Sequence, residues 1–259
     1  MIPVVLECGG KDPVIVAHDA DIKLAAEYAL WSAMANAGQS CIGAERVYVV
    51  ESVANEFIET IVNMAKKIKP GQSYGPATMP SQLKVIQSHL DDAKAKGAKF
   101  LLGGPDSVKG AFVEPVIMVD VPEDSLAMTD ETFGPTLAIN KVMNTDEAIK
   151  LSNASSYGLA AAVFSKREGE KIASKLACGM VSINSVFLFA AIAAVPFGGV
   201  KDSGYGRIHG AEGLLEYTYA RSVVKTRFKI PLRFTTFKRT KFSEKILTVL
   251  IKKLHGRKK

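Results

Sequence analysis

Cysteine, histidine and long apolar runs are all scarce in this 259-residue chain, and each scarcity narrows what the protein can be. The three cysteines, Cys8, Cys41 and Cys178, are odd in number, widely spaced and form no Cys-x-x-Cys pair. That argues against a disulfide framework or a thiolate zinc site, and a reducing cytosol is the expected compartment. The four histidines, His18, His89, His209 and His255, show no ligand spacing, so no metal site is expected. No apolar stretch reaches the roughly 18 residues that a spanning helix needs. The opening "MIPVVLECGG" has no basic segment leading into a long apolar one, so no secretory signal is read. Internal repeats and low-complexity linkers are absent as well.

What is present is charge, unevenly placed. Of 33 Lys/Arg and 26 Asp/Glu, 13 and 1 fall in Lys225–Lys259, leaving 20 and 25 elsewhere. The tail therefore carries a balance of +12 and the main body −5, and the net +7 gives no reason to expect nucleic acid on the body.

The apolar pattern alternates in type along the chain. "PVVLECGG" reads as a buried strand entering a turn, and "DIKLAAEYALWSAMANAG" as a helix with Asp19 or Asp21 at its N-cap and Gly38 at its stop. "ERVYVVES", "KFLLGG", "AFVEPVIMVDV", "PTLAINKV", "LAAAVFS" and "MVSIN" read as strands. Between them, "VANEFIETIVNMAKKI", "MPSQLKVIQSHLDDAKAKGA", "NTDEAIKLSNAS" and "KREGEKIASKLACG" read as helices. Strands alternating with helices predict an α/β fold whose mostly parallel sheet is flanked by helices on both faces. "PFGGVKDSGYGR" is a glycine-rich loop that requires close backbone approach.

Two residues stand out chemically. Cys41 follows the small turn Gly38-Gln39-Ser40, and Glu7 ends the first strand beside Gly9-Gly10. Taken alone, Cys41 reads equally as core filler and as reactive thiol. Glu7 taken alone reads as a turn residue before it reads as a base.

Four segments, in order, change the balance. "LECGGKDPVIV" is similar to the ELGGK-type motif of the NAD(P)-dependent aldehyde dehydrogenase superfamily, and "NAGQSCIGAERVYV" resembles its catalytic-cysteine signature. "DETFGPTLAI" resembles its E-x-F-G-P motif, and "SINSV…VPFGGVKDSGYGRIHGAEGLLEYT" its closing Asn-turn and glycine block. The resemblance covers Pro3 to Phe228, with one departure inside a motif, Cys8 where an apolar residue is usual. It implies the family's catalytic domain, lacking most of the N-terminal Rossmann-like cofactor domain.

The resemblance also implies roles. Cys41 would attack an aldehyde carbon and Glu7 would activate the water that releases a carboxylic acid. Glu131 and Phe133 would contact the ribose and ring of NAD or NADP, although Phe133 alone also reads as core packing. Asn184, Gln39 and Ser40 would line the site, with a turn-forming role the other reading of Asn184. Lys201 and Arg207 read as surface charges. The expected domains are 1–8, an edge of the cofactor domain; 9–210, catalytic; 211–230, a helix and the oligomerisation strand; and 231–259, a basic amphipathic tail. No Gly-x-Gly-x-x-Gly turn opens a helix in this chain, so the isolated chain is expected to bind NAD(P) weakly.

Three further expectations concern partners. The substrate is a small-molecule aldehyde, with "SVFLFAAIAAV" hinting at an aliphatic or aromatic one. Ala220–Phe228 alternates like an exposed strand, and the resemblance implies that it pairs across subunits of a homo-oligomer. "FSEKILTVLIKKLHGRKK" could touch anionic lipid, dock on a neighbouring subunit or fray. The second class of function is a non-catalytic fragment or an assembly or regulatory subunit.

Overall fold

The computed structural model describes residues 2–228, 236–238 and 240–256. The chain divides into two compact units, Met1–Tyr219 and Ala220–Lys259.

In the first unit the chain runs β1 (Leu6–Glu7), β2 (Asp12–Val16), α1 (Ile22–Met34), β3 (Ala44–Val50), α2 (Glu51–Ala65), α3 (Pro80–Ala95) and β4 (Lys99–Leu102). It continues through the hairpin β5 (Val108–Lys109) and β6 (Phe112–Val113), then β7 (Val116–Val119), α4 (Leu126–Thr129), β8 (Thr136–Val142) and α5 (Thr145–Asn153). Last come β9 (Ala160–Phe164), α6 (Gly169–Ala173), β10 (Met180–Ile183), α7 (Leu188–Ala191), β11 (Gly204–Tyr205) and α8 (Gly210–Glu216). Among the described residues, the central sheet has the order β10-β9-β2-β3-β8-β7-β4. Every neighbouring pair in it is parallel except β4 with β7.

Side-chain alternation explains why both faces are covered. Val14, Val16, Val47 and Val49 point to one face and bury against α1 and α2, while Ile15, Tyr48 and Val163 point to the other and bury against α3, α5 and α6. On α1, Ala25, Ala26, Ala29 and Ala33 form a smooth buried face. Asp21 caps that helix, its Oδ1 accepting the Leu24 N–H at 3.1 Å, as the sequence signals.

Three elements differ from expectation. The central strand β2 lies in a stretch with no assignment from sequence, because Pro13 cannot donate to a ladder and so argues against an interior strand. The register against β3 slips between Asp12 and Pro13, which accommodates the proline. The first strand is exposed rather than buried: β1 pairs only with β11 at the margin, and nothing covers Ile2, Val4 or Leu6. The helix expected over "KREGEKIASKLACG" shrinks to the five residues of α6.

In the second unit, Ala220–Phe228, expected as a strand, forms none. Thr240 caps α9 (Lys241–His255) through a reciprocal hydrogen-bonded box with Ser243. Residues 229–235, 239 and 257–259 of the expected oligomerisation strand and basic tail lie outside the described residues.

Candidate active site

The thiol turn is built from left-handed backbone. After α1, Asn36, Ala37 and Gly38 take φ values of +54°, +59° and +71°, a costly run for Asn and Ala. Side chains fix it: Asn36 donates to the Gln39 carbonyl and Gln39 donates to the Asn36 carbonyl, each at 2.9 Å. Gln39 also accepts the Thr78 N–H at 2.7 Å and donates to the Pro76 carbonyl at 3.3 Å. Ser40 closes the turn, its N–H on the Gly38 carbonyl and its carbonyl taking the Gly43 N–H. Gln39 and Ser40 thus shape the turn that presents Cys41. The thiol is half-buried and packs with Ile42 against Leu159, Phe189 and Phe197.

Glu7 arrives on β1, opposite Gly204 of β11. A side chain at Gly204 is excluded, since its φ is +136° and a Cβ there would stand 2.1 Å from the Leu6 carbonyl oxygen. The glycine-rich loop therefore works as the seat of β1, the strand that carries Glu7.

Glu131 and Phe133 precede β8. Glu131 Oε1 accepts the Gly10 N–H at 3.0 Å, and a Cβ on Gly9 would stand 2.2 Å from Glu131 Oε2. Phe133 is half-buried with φ +51°. That conformation is held from below: the buried Glu45 carboxylate accepts the N–H groups of Thr132 and Phe133 and is paired with the buried Lys11 ammonium. Lys11 donates also to Thr132 Oγ1 at 3.1 Å, and His89 Nδ1 lies 3.1 Å from the same hydroxyl. Burial lowers the Lys11 pKa despite its carboxylate partner. Burial, with the Lys11 charge second, lowers that of His89.

These loops meet at one edge. Gly9–Gly10 leads into β2, Cys41 into β3 and Glu131–Phe133 into β8, so in a parallel sheet all three gather at the amino ends of the strands. The usual expectation for open α/β sheets is the carboxyl end. Burial raises the Cys41 pKa above the ordinary thiol value; the carboxylates of Glu7, Asp12 and Glu131 raise it further, and its own backbone N–H acts the other way. Glu131 is raised by burial, partly opposed by the Gly10 N–H. Asp12 is fully buried and raised strongly by desolvation; its Oδ1 accepts the Ala160 N–H at 3.0 Å and its Oδ2 has no partner. Cys178 is pushed up to about 11 by burial.

Other residues lie elsewhere. Asn184 follows the carboxyl end of β10 with φ +52°, and its side chain bridges both backbone groups of Ser165 at 3.0 and 2.9 Å, a turn-forming arrangement. Lys201 donates to the carbonyls of Asn153 and Ser155, and Arg207 to those of Gly199 and Gly206, so both tie loops together. The sequence reading missed Lys11, Glu45 and Asp12. Their nearest signal was position, since Lys11 closes the Gly-Gly-Lys turn and Glu45 opens β3.

An apolar pocket of about 540 Å³ lies between α1 and the segment leading into α7, lined among others by Leu24, Glu27, Tyr28, Trp31, Phe187 and Leu188. Trp31 meets Phe187 edge to face at 5.3 Å. A narrow cleft shares Val186 and Phe187 with it and reaches Ile42, next to Cys41.

The fold is an open α/β domain with a half-buried cysteine and the Glu131 loop at the amino ends of its parallel strands. The chain belongs to the aldehyde dehydrogenase family, whose profile matches residues 1–223. It is 41% identical over 236 residues to 4,4'-diapolycopene aldehyde oxidase of Methylomonas sp, covering 89% of this chain and 44% of that protein. A Mycobacterium tuberculosis protein provisionally named succinate-semialdehyde dehydrogenase [NADP(+)] 2 is 39% identical over 233 residues, covering 85% of this chain and 45% of its own. Among solved structures, betaine aldehyde dehydrogenase from Staphylococcus aureus in complex with NAD+ superposes with a TM-score of 0.79 at 34% identity, covering 90% of this chain and 48% of that one. The chain spans about half the length of the relatives it matches.

Proposed function

We propose that this chain carries the nucleophile side of an aldehyde dehydrogenase site and acts on an apolar aldehyde. The observation that carries the reading is a half-buried Cys41 whose carbonyl lies against Gly10, the residue whose N–H Glu131 accepts at 3.0 Å. As thiolate, Cys41 adds to the aldehyde carbon, and its own N–H donates to the developing oxyanion. The hydride acceptor for this step would be a nicotinamide cofactor held by Glu131 and Phe133, and Cys41 would keep the acyl group as a thioester. Glu131 and Phe133 suit such a cofactor: among the described residues Oε2 of Glu131 has no protein donor and is free to accept a ribose hydroxyl. Glu7, exposed at the margin, takes the proton from the water that cleaves the thioester. The thiol returns and the acid departs.

The pocket supports an apolar substrate over a semialdehyde. Its lining holds one carboxylate, Glu27, and no Lys or Arg to meet the carboxylate of a semialdehyde. Competition for the thiol tests the reading on the chain as it stands. Iodoacetamide labelling, read cysteine by cysteine by mass spectrometry, is expected to slow severalfold at Cys41 with decanal and little with succinate semialdehyde, while Cys8 is unaffected. Equal labelling of Cys41 with and without aldehyde overturns it and favours the non-catalytic subunit.

A further inference from the structure

We propose that α9 lies flat on an anionic phospholipid bilayer, holding the protein at the membrane surface. The helix is outside the segment matched by the family profile. At 100° per residue, Phe242, Ile246, Val249, Leu250 and Leu254 share a broad apolar face into which Lys253 intrudes between Phe242 and Ile246, while Lys241, Lys245 and Lys252 share the other. Most of that apolar face is uncovered among the described residues: Phe242 is 68% exposed, Leu254 71% and Leu250 41%, with Ile246 partly buried. The helix is nevertheless well specified, closed by the Thr240–Ser243 box and carrying Lys252, Lys253 and His255 in its last turn, where cations suit the helix dipole.

Charge complementarity chooses the occupant. Lys225–Lys259 carries 13 basic residues against Glu244 alone, so the surface it meets is negative. Nucleic acid offers negative charge but nothing for an apolar face this wide. A bilayer interface offers both at the depth each needs, with lysines bordering the apolar stripe at headgroup level. Fifteen residues make a helix of about 22 Å, short of the roughly 30 Å hydrocarbon core, and no helix among the described residues is long and apolar enough to cross a membrane. In-plane docking is the geometry that remains for this helix at a membrane. The inference stands apart from the aldehyde reading, because no residue of the thiol site enters it.

Vesicle flotation of the whole chain tests it. The wild type is expected to float with vesicles of equal phosphatidylglycerol and phosphatidylcholine, not with phosphatidylcholine alone, and to gain helical circular dichroism as it binds. Lys252→Gln with Lys253→Gln should weaken partitioning about fivefold per lysine. Leu250→Gln with Leu254→Gln leaves the charge intact yet should weaken it by about tenfold or more. Unchanged Cys41 labelling in both variants shows that the first unit is undamaged. Flotation insensitive to the leucine pair, or equal on neutral vesicles, overturns the proposal. So does failure to float combined with a concentration-dependent dimer that the leucine pair abolishes, or nucleic acid binding that the leucine pair leaves intact, since either names a different occupant.

Discussion

The carboxylate of Glu45 accepts the N–H of Thr132 and the N–H of Phe133 at 2.8 Å each, so one buried anion sets the backbone of the loop that carries both cofactor candidates. Lys11 supplies its counter-charge. Glu45→Ala would leave the Lys11 ammonium buried without its counter-charge, with only the Thr132 hydroxyl to donate to, an arrangement that costs about 3–5 kcal/mol. Urea unfolding of the variant should show that loss, with Glu45→Gln falling between it and the wild type.

Gly9→Ala should do little to stability and much to the thiol. The added methyl meets the far end of the Glu131 side chain, which can swing away at the cost of its hydrogen bond to Gly10, worth ~1 kcal/mol. Moving that carboxylate away removes negative potential at Cys41. Its alkylation midpoint should fall while the melting temperature changes by only a few degrees.

Cys41 alkylation should have a midpoint above the ordinary thiol range, because burial and then three carboxylates disfavour the thiolate. An anion removed nearby favours the thiolate, so Glu131→Gln and Glu7→Gln should each lower the midpoint and speed labelling at pH 8. A midpoint that does not move in either variant would show that the carboxylates do not reach the sulfur.

Asp12 gives stability a pH slope of known sign. Its folded pKa is raised by burial, so its contribution is complete below the unfolded value near 3.8 and declines as pH rises towards the folded one. Asp12→Asn keeps the acceptor for the Ala160 N–H and cannot ionise. Its unfolding free energy should lose less than that of the wild type as pH is raised from 4, and the two curves should converge on the acid side.

Trp31→Ala opens one wall of the aromatic pocket and removes the edge contact to Phe187. Protection of Cys41 by decanal should drop about fivefold, on the order of an aromatic pair's contribution, with the unprotected labelling rate unchanged.

The layered architecture was legible because its signals are local. Period-two and period-3.6 patterns named most strands and helices, and Asp21 and Gly38 marked where α1 starts and its helical run gives out. β2 was hidden by Pro13, whose missing N–H is tolerated only through a register slip with a strand about thirty residues later. Cys41, Glu7, Glu131 and Phe133 were legible as motifs. Their support was not: Lys11 meets Glu45 across 34 positions, and Glu45 meets Phe133 across 88. Charge pairs at such separations have no sequence period, so only the folded sheet reveals them.

Gln39 has a consequence of another kind. Two residues before Cys41, its amide grips Thr78 and Pro76, nearly forty positions downstream. A proteolytic nick, an insertion or a docking partner at that distant surface stretch would be felt as slack in the backbone that aims the sulfur. The placement of the thiol can thus be tuned from a surface stretch that lies far from it in sequence.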